Sequence, residues 1–172
     1  MYRKRLSLAV AGLLALLSTR AAAQNTCTGN PCSVNNTAQV NVGTVLRLTL
    51  SSTTTTLTSP NEAAFDQGFQ DDNGPTAGVK SNRPWNLQVS ANGATWTGAN
   101  GARANKPAGD LEWSRTNSGF ASLTTSPVNI YGSSQSATGN ASQAMSYRTL
   151  WSYASDTPGD YSLVVVYTLT AP

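Results

Sequence analysis

The chain reads as an all-β protein, an antiparallel β-sandwich of about eight strands in immunoglobulin-like or Greek-key order. Three observations predict this. Long stretches alternate apolar and polar residues with period two. Ser and Thr make up 39 of the 149 residues from Gln24 onward, with frequent Asn and Gly, a composition of short strands and polar turns. Charged residues are only 11% of the 172-residue chain, less than half the usual ~25%.

The chain opens on a different pattern. Arg3, Lys4 and Arg5 precede an apolar run from Leu6 to Leu17, and Ala21-Ala22-Ala23 follows. This is the layout of a secretory signal cleaved after Ala23. The run is well short of the ~20 residues that span a bilayer, and no later segment is long enough. Cleavage takes Arg3, Lys4, Arg5 and Arg20 with it, leaving seven basic and eight acidic side chains. The seven basic residues are scattered, which argues against nucleic acid as a partner. The product expected is secreted, extracellular or at the cell surface, with a periplasmic location as the variant.

Residues 24–36 form an N-terminal segment carrying Cys27 and Cys32, the only cysteines. In an oxidising compartment a disulfide is the default, and Gly29 and Pro31 allow the tight turn it needs. A metal site would require further soft ligands, and the chain has neither a third Cys nor any His. Polar Gln24-Asn25-Thr26 before Cys27 speaks against a lipid-modified cysteine.

A single domain is expected over residues 37–172. Thr37 to Leu50 alternates Ala38, Val40, Val42, Leu46, Leu48 and Leu50 with mostly polar residues, which predicts a strand, bent or split at Gly43. Thr-rich Ser51 to Ser59 continues as an edge strand or an extended linker, and Pro60 ends it. Asn61 to Ser81 contains Asp72-Asn73-Gly74-Pro75 and reads as a long loop or a short helical turn. Trp85, Leu87, Val89 and Ala91 share one face of a second strand, with a hairpin expected at Asn92-Gly93. A turn at Asn100-Gly101 follows, then strands at Leu111 to Arg115, Gly119 to Thr124 and Val128 to Tyr131. Gly132 to Ala144 reads as a solvated loop. The last strands are Tyr147 to Tyr153 and Tyr161 to Thr170, the latter apolar on both faces and so expected at the centre of a sheet.

The absence of His removes Ser-His-Asp and Cys-His catalysis and every His-ligated metal. Two-carboxylate glycosidase chemistry would fall to Asp110 and Glu112, about 7 Å apart on one strand face, but a solvated face explains them more simply. Asp66, Asp71, Asp72 and Asn73 offer oxygen ligands for calcium without an EF-hand spacing, and a turn bonded to its own backbone is the preferred reading. No catalytic residue, metal site or cofactor is expected. Among the aromatics, Trp85 and Trp151 lie on apolar faces and are expected in the core. Trp96 and Trp113 have polar neighbours and are the candidates for an exposed, sugar-stacking pair.

Trp85-Asn86-Leu87 and the ending Tyr161 to Pro172 resemble the WxL cell-surface domain. Trp85 and Leu87 supply a Trp-x-Leu. Near the C-terminus Tyr161 and Pro172 fit the second motif, while Tyr167 stands for Trp in Tyr167-Thr168-Leu169. The resemblance covers roughly Val40 to Pro172 and implies a β-rich domain held noncovalently on the bacterial cell wall. The Pro-Gly-x-Tyr start of the final strand is also similar to pilus and spore-coat-type subunits. The leading expectation is therefore a non-catalytic envelope protein, structural or binding cell-wall or extracellular polysaccharide. The alternatives are a filament subunit in which Thr37 to Leu50 pairs with another copy, and a carbohydrate-binding module using Trp96 and Trp113.

Overall fold

The computed structural model describes residues 26–172. The expected signal segment lies outside the described residues. The chain divides into two units at Asn41/Val42.

In the first unit, residues 26–41 contain no strand or helix and are almost wholly exposed. Their one covalent constraint is the disulfide between Cys27 and Cys32, with Cα atoms 5.7 Å apart, inside the range that a disulfide spans.

The second unit is nearly all antiparallel β-structure, as the composition predicts, with ten strands in place of about eight. These are β1 (Leu46–Leu50), β2 (Phe69–Ser81), β3 (Asn86–Ala91), β4 (Thr97–Ala99), β5 (Leu111–Ser114), β6 (Ala121–Ser122), β7 (Val128–Asn129), β8 (Thr138–Leu150), β9 (Asp160–Ser162) and β10 (Val165–Thr170). One sheet has the order β1-β2-β8-β5-β6, a second β10-β3-β7, and β4 pairs with β9 as a separate ribbon. The side chains between the two larger sheets form the core: Ala77, Val79, Leu87, Val89, Leu111 and Met145 among others.

Several segments differ from the sequence reading. Of Thr37 to Leu50 only Leu46–Leu50 is a strand, pairing with β2 from Leu46↔Ser81 to Leu50↔Ala77. Alternation marks a segment able to pair, and the stretch upstream meets no partner strand. Ser51 to Ser59 is not a strand and bends at Ser51 and Thr53.

Asn61 to Ser81 is far more regular than expected. The Asn61 side chain accepts from the Ala64 N–H and caps a helix, α1 (Glu62–Gln67), which ends at left-handed Gly68. The 13-residue strand β2 follows. The Asp-Asn-Gly-Pro sequence makes a bulge inside it: β2 advances three residues from Asn73 to Thr76 while β8 retreats two, from Ser146 to Ala144. At Gly74 a Cβ would lie 3.0 Å from the Tyr147 ring and 3.1 Å from Met145 Cβ, so the glycine serves a close approach, not a chain reversal.

No hairpin forms at Asn92-Gly93. β3 pairs instead with β10 and β7, and β4 with β9. The expected loop Gly132 to Ala144 is half consumed by β8, which begins at Thr138. Tyr161 to Thr170 is split into β9 and β10, and β10 lies at the edge of its sheet while β3 is central.

The sandwich is closed on one flank only. Beyond β6, Leu123 N donates to Leu111 O in one sheet at 2.9 Å, and Ala91 N in the other donates to Thr124 O at 2.8 Å. Consecutive residues thus stitch the two sheets together. On the opposite flank, among the described residues, β1 pairs only with β2 and β10 only with β3, and β1 and β10 come close to each other over part of their length without pairing.

Candidate functional site

The open flank holds a cleft of about 440 Å³, within the size range of ligand sites. One wall is the Thr-rich segment 52–57, the other runs from Tyr161 to Val165, and Trp96, Leu111, Tyr147 and Tyr167 lie between. No charged side chain lines it.

The geometry of β10 follows from its ladder. Asn92 N donates to Val164 O, whereas Leu87 O and Ala91 N bond on the β7 side of β3. Even-numbered residues of β3 therefore face β10 through their backbone, and Val166, Thr168 and Thr170 are their partners. Antiparallel pairing alternates, so the backbone N–H and C=O groups of Val165, Tyr167 and Leu169 point to the open flank. The same three side chains pack against the core. Among the described residues β10 thus offers a free edge, and two of its inward side chains, Val165 and Tyr167, border the cleft.

The Tyr147 and Tyr167 hydroxyls meet at 2.7 Å. Both titrate above the ordinary tyrosine range, chiefly because burial disfavours the phenolate. The pair stays protonated near neutral pH and offers hydrogen bonds, not proton exchange. Trp96 Nε1 is buried without an acceptor among the described residues.

The expected sugar-stacking pair is corrected. Trp96 is 6% exposed and Trp113 8% exposed, and both belong to the core. Polar residues on either side of an aromatic are what period-two alternation places around an inward-pointing residue, so polar neighbours signalled burial. Trp85 is buried as expected and Trp151 is half-buried.

Of the residues of the WxL resemblance, those on β3 and β10 are neighbours, while Tyr161 lies apart on β9. Leu87 on β3 is directly opposite Leu169 on β10, and Tyr167 is opposite Val89. Trp85 packs edge-on against Tyr131. Tyr161 donates through its hydroxyl to Thr157 O at 2.6 Å, and Pro172 O accepts from the Arg83 guanidinium.

The carboxylates are dispersed. Asp110 sits at the end of a 3-10 turn, Ala108–Asp110, and pairs with Lys106, while Glu112 is on β5. Asp66 accepts from the Tyr153 hydroxyl, Asp71 pairs with Arg148, and Asp72 accepts from the backbone and hydroxyl of Thr58. Asp66, Asp71 and Asp72 thus hold separate segments together, where bonds to their own turn were expected. Among the described residues no cluster of three potential His, Cys, Asp or Glu ligands forms.

Sequence reading missed one constellation. The Lys106 side chain is 0% exposed, and its ammonium donates to Asp110 Oδ2 at 2.9 Å, Asp156 Oδ1 at 3.0 Å and Leu150 O at 2.7 Å. It lies 4.5 Å from the centroid of the Trp151 ring. Arg103 adds a bond to Asp156 at 3.3 Å, so two cations balance two carboxylates. All the ammonium protons are engaged, which marks a structural lock tying the β4–β5 connection to the end of β8. The i,i+4 spacing of Lys106 and Asp110 was the only sequence signal.

Comparison with protein-family models, with curated proteins and with solved structures gives no match.

Proposed function

We propose that this chain is an exported, non-catalytic protein of the bacterial cell envelope that works by binding through its open flank. The observation that carries this reading is the cleft between the Thr-rich segment and β10. Its groups are hydroxyls, aromatic rings, aliphatic side chains and a row of free peptide groups, which together recognise a neutral extended ligand. The bonded cysteine pair fits an oxidising compartment, and no helix among the described residues is long and apolar enough to cross a membrane. The neighbouring placement of Trp85-x-Leu87 and Tyr167-x-Leu169 supports a shared packing role for the two motifs of the WxL resemblance.

Fractionation of the source bacterium tests the reading. The protein is expected in the culture fluid and in the wall fraction, released from walls by denaturant without any cleavage, with a mature N-terminus at Gln24. Recovery from the cytosol alone overturns it. Within this class a filament subunit built by strand addition is favoured by a specific observation: the alternating stretch upstream of β1 is unpaired and exposed, with Val40 at 87% and Val42 at 74%.

A further inference from the structure

We propose that residues 38–42 of one copy add as an antiparallel strand to the free edge of β10 in a second copy, placing Val42 opposite Val165, Val40 opposite Tyr167 and Ala38 opposite Leu169. The inference rests on the binding role of the open flank and names its occupant.

Both halves of the contact are on this chain. Val165, Tyr167 and Leu169 present N–H and C=O groups without a partner strand among the described residues, an arrangement that templates the addition of a further strand. Residues 38–42 carry the pattern that such an edge accepts: Ala38, Val40 and Val42 on one face, Gln39 and Asn41 on the other. Pairing directly across from β10 residues that point inward sends Ala38, Val40 and Val42 inward as well. Val40 and Val42 then meet the apolar floor of the cleft, and the amides of Gln39 and Asn41 stay in water. Charge imposes no penalty, since neither residues 38–42 nor the cleft lining carries any.

The register also determines whose strand it is. The chain's own Gly43 is held by Asn82, whose Nδ2 donates to Gly43 O at 2.8 Å, and Val45 N donates to Asn82 Oδ1 at 2.8 Å. The adjoining Arg83 bonds both Thr44 and Pro172, two residues beyond β10. Val42 therefore starts next to the Thr170 end of its own β10. The antiparallel register needs it at Val165, a strand length of about 17 Å away at 3.3 Å per residue. A second copy meets this requirement and the same copy does not. Because each chain contributes one arm and one edge, the contact is head to tail and propagates.

The test uses the exported, disulfide-bonded chain in size-exclusion chromatography with light scattering over a concentration series. Wild type is expected to form concentration-dependent oligomers. Val40→Lys, on an exposed side chain, is expected to be monomeric, because a lysine enters the apolar cleft on pairing. Val165→Pro removes an outward N–H at the first residue of an edge strand, where proline is tolerated, and is also expected to be monomeric. Mixed together, the two variants are expected to give one-to-one dimers and nothing larger, one supplying the edge and the other the arm. If Val165→Pro does not fold, Val40→Lys alone decides. A wild type that stays monomeric, or a Val40→Lys variant that assembles like wild type, overturns the inference. A monomer whose elution is shifted by isolated cell-wall polysaccharide, with the shift lost in a folded Val165→Pro, makes the occupant a glycan. That result overturns the inference and leaves the envelope-binding reading standing, whereas assembly by a protein confined to the cytosol does the reverse.

Discussion

Replacing Lys106 by Met tests whether the buried charge network holds the second unit together. The substitution keeps the aliphatic stem and removes the ammonium, so packing is largely preserved and the electrostatic loss is isolated. Asp156, 2% exposed, would keep only Arg103 and the Ser152 N–H as partners, at 3.3 and 2.9 Å. Breaking one side of a buried pair costs roughly 3–5 kcal/mol. The lower figure is appropriate, because Arg103 remains and Asp110 is 23% exposed. A loss of about 3 kcal/mol at a urea dependence of about 1.5 kcal/mol per molar lowers the unfolding midpoint by about 2 M. Urea titration followed by tryptophan fluorescence measures it, with Trp151 against the ammonium as a local reporter. Adding Asp156→Asn to Lys106→Met should cost less than the two single changes summed, by about 1–3 kcal/mol, because they share one interaction. A Lys106→Met variant within 1 kcal/mol of wild type would refute the argument, since a buried carboxylate cannot lose its nearest cation without a larger penalty.

Trp96→Ala and Trp113→Ala should each lower stability by about 3–5 kcal/mol, as core truncations do, which a thermal melt would register. For Trp113→Ala, which does not line the cleft, binding of any ligand would then fall in step with the folded fraction, whereas Trp96→Ala also removes part of the cleft lining. Gly159 has φ +155°, and an added Cβ would collide with the Ala102 backbone, so Gly159→Ala should destabilise the β4–β9 ribbon and lower the melting temperature. At alkaline pH the folded state retains protons on Tyr147 and Tyr167 that the unfolded chain releases. Their contribution is complete below about pH 10 and is lost as pH rises beyond it. Tyr167→Phe should cost about 1 kcal/mol at neutral pH and make the alkaline decline shallower, as followed by circular dichroism against pH.

The strands readable in the sequence were those whose alternation coincides with burial on one face. Leu87, Val89 and Ala91, for example, are apolar at every second position and buried in the structure. What failed was pairing, which is a property of the neighbour. The Asn92-Gly93 dipeptide has the chemistry of a tight hairpin, yet the strands around it find better partners at long range. Asp72-Asn73-Gly74-Pro75 has the chemistry of a turn and becomes a bulge because β8 runs past it on both sides. The polar loop expected before Ala144 becomes a strand by pairing with β2, despite its composition. The cleft was invisible for the same reason: it exists because two particular edges remain unjoined, and no local pattern encodes that. Tyr161, Tyr167 and Trp96 stand out in the sequence for other reasons, and nothing local shows that they border one cleft. The lock around Lys106 draws its second carboxylate from Asp156, fifty positions away, beyond the reach of any sequence motif.

The corner at Arg83 has a mechanical consequence. The guanidinium holds Thr44 and Pro172 together, and the adjacent ends of β1 and β10 are anchored at Ser81 and Asn86. Tension applied between Thr44 and Pro172 would peel both strands from the same corner and load their ladders one hydrogen bond at a time. Pulled at these two points, the domain would yield at low force. A strand donated by a neighbour and drawn along its own axis would instead load all of its bonds together in shear. In the proposed assembly load enters each copy through Thr44 and leaves through the edge of β10, so Pro172 carries none of it and the weak peeling geometry is bypassed.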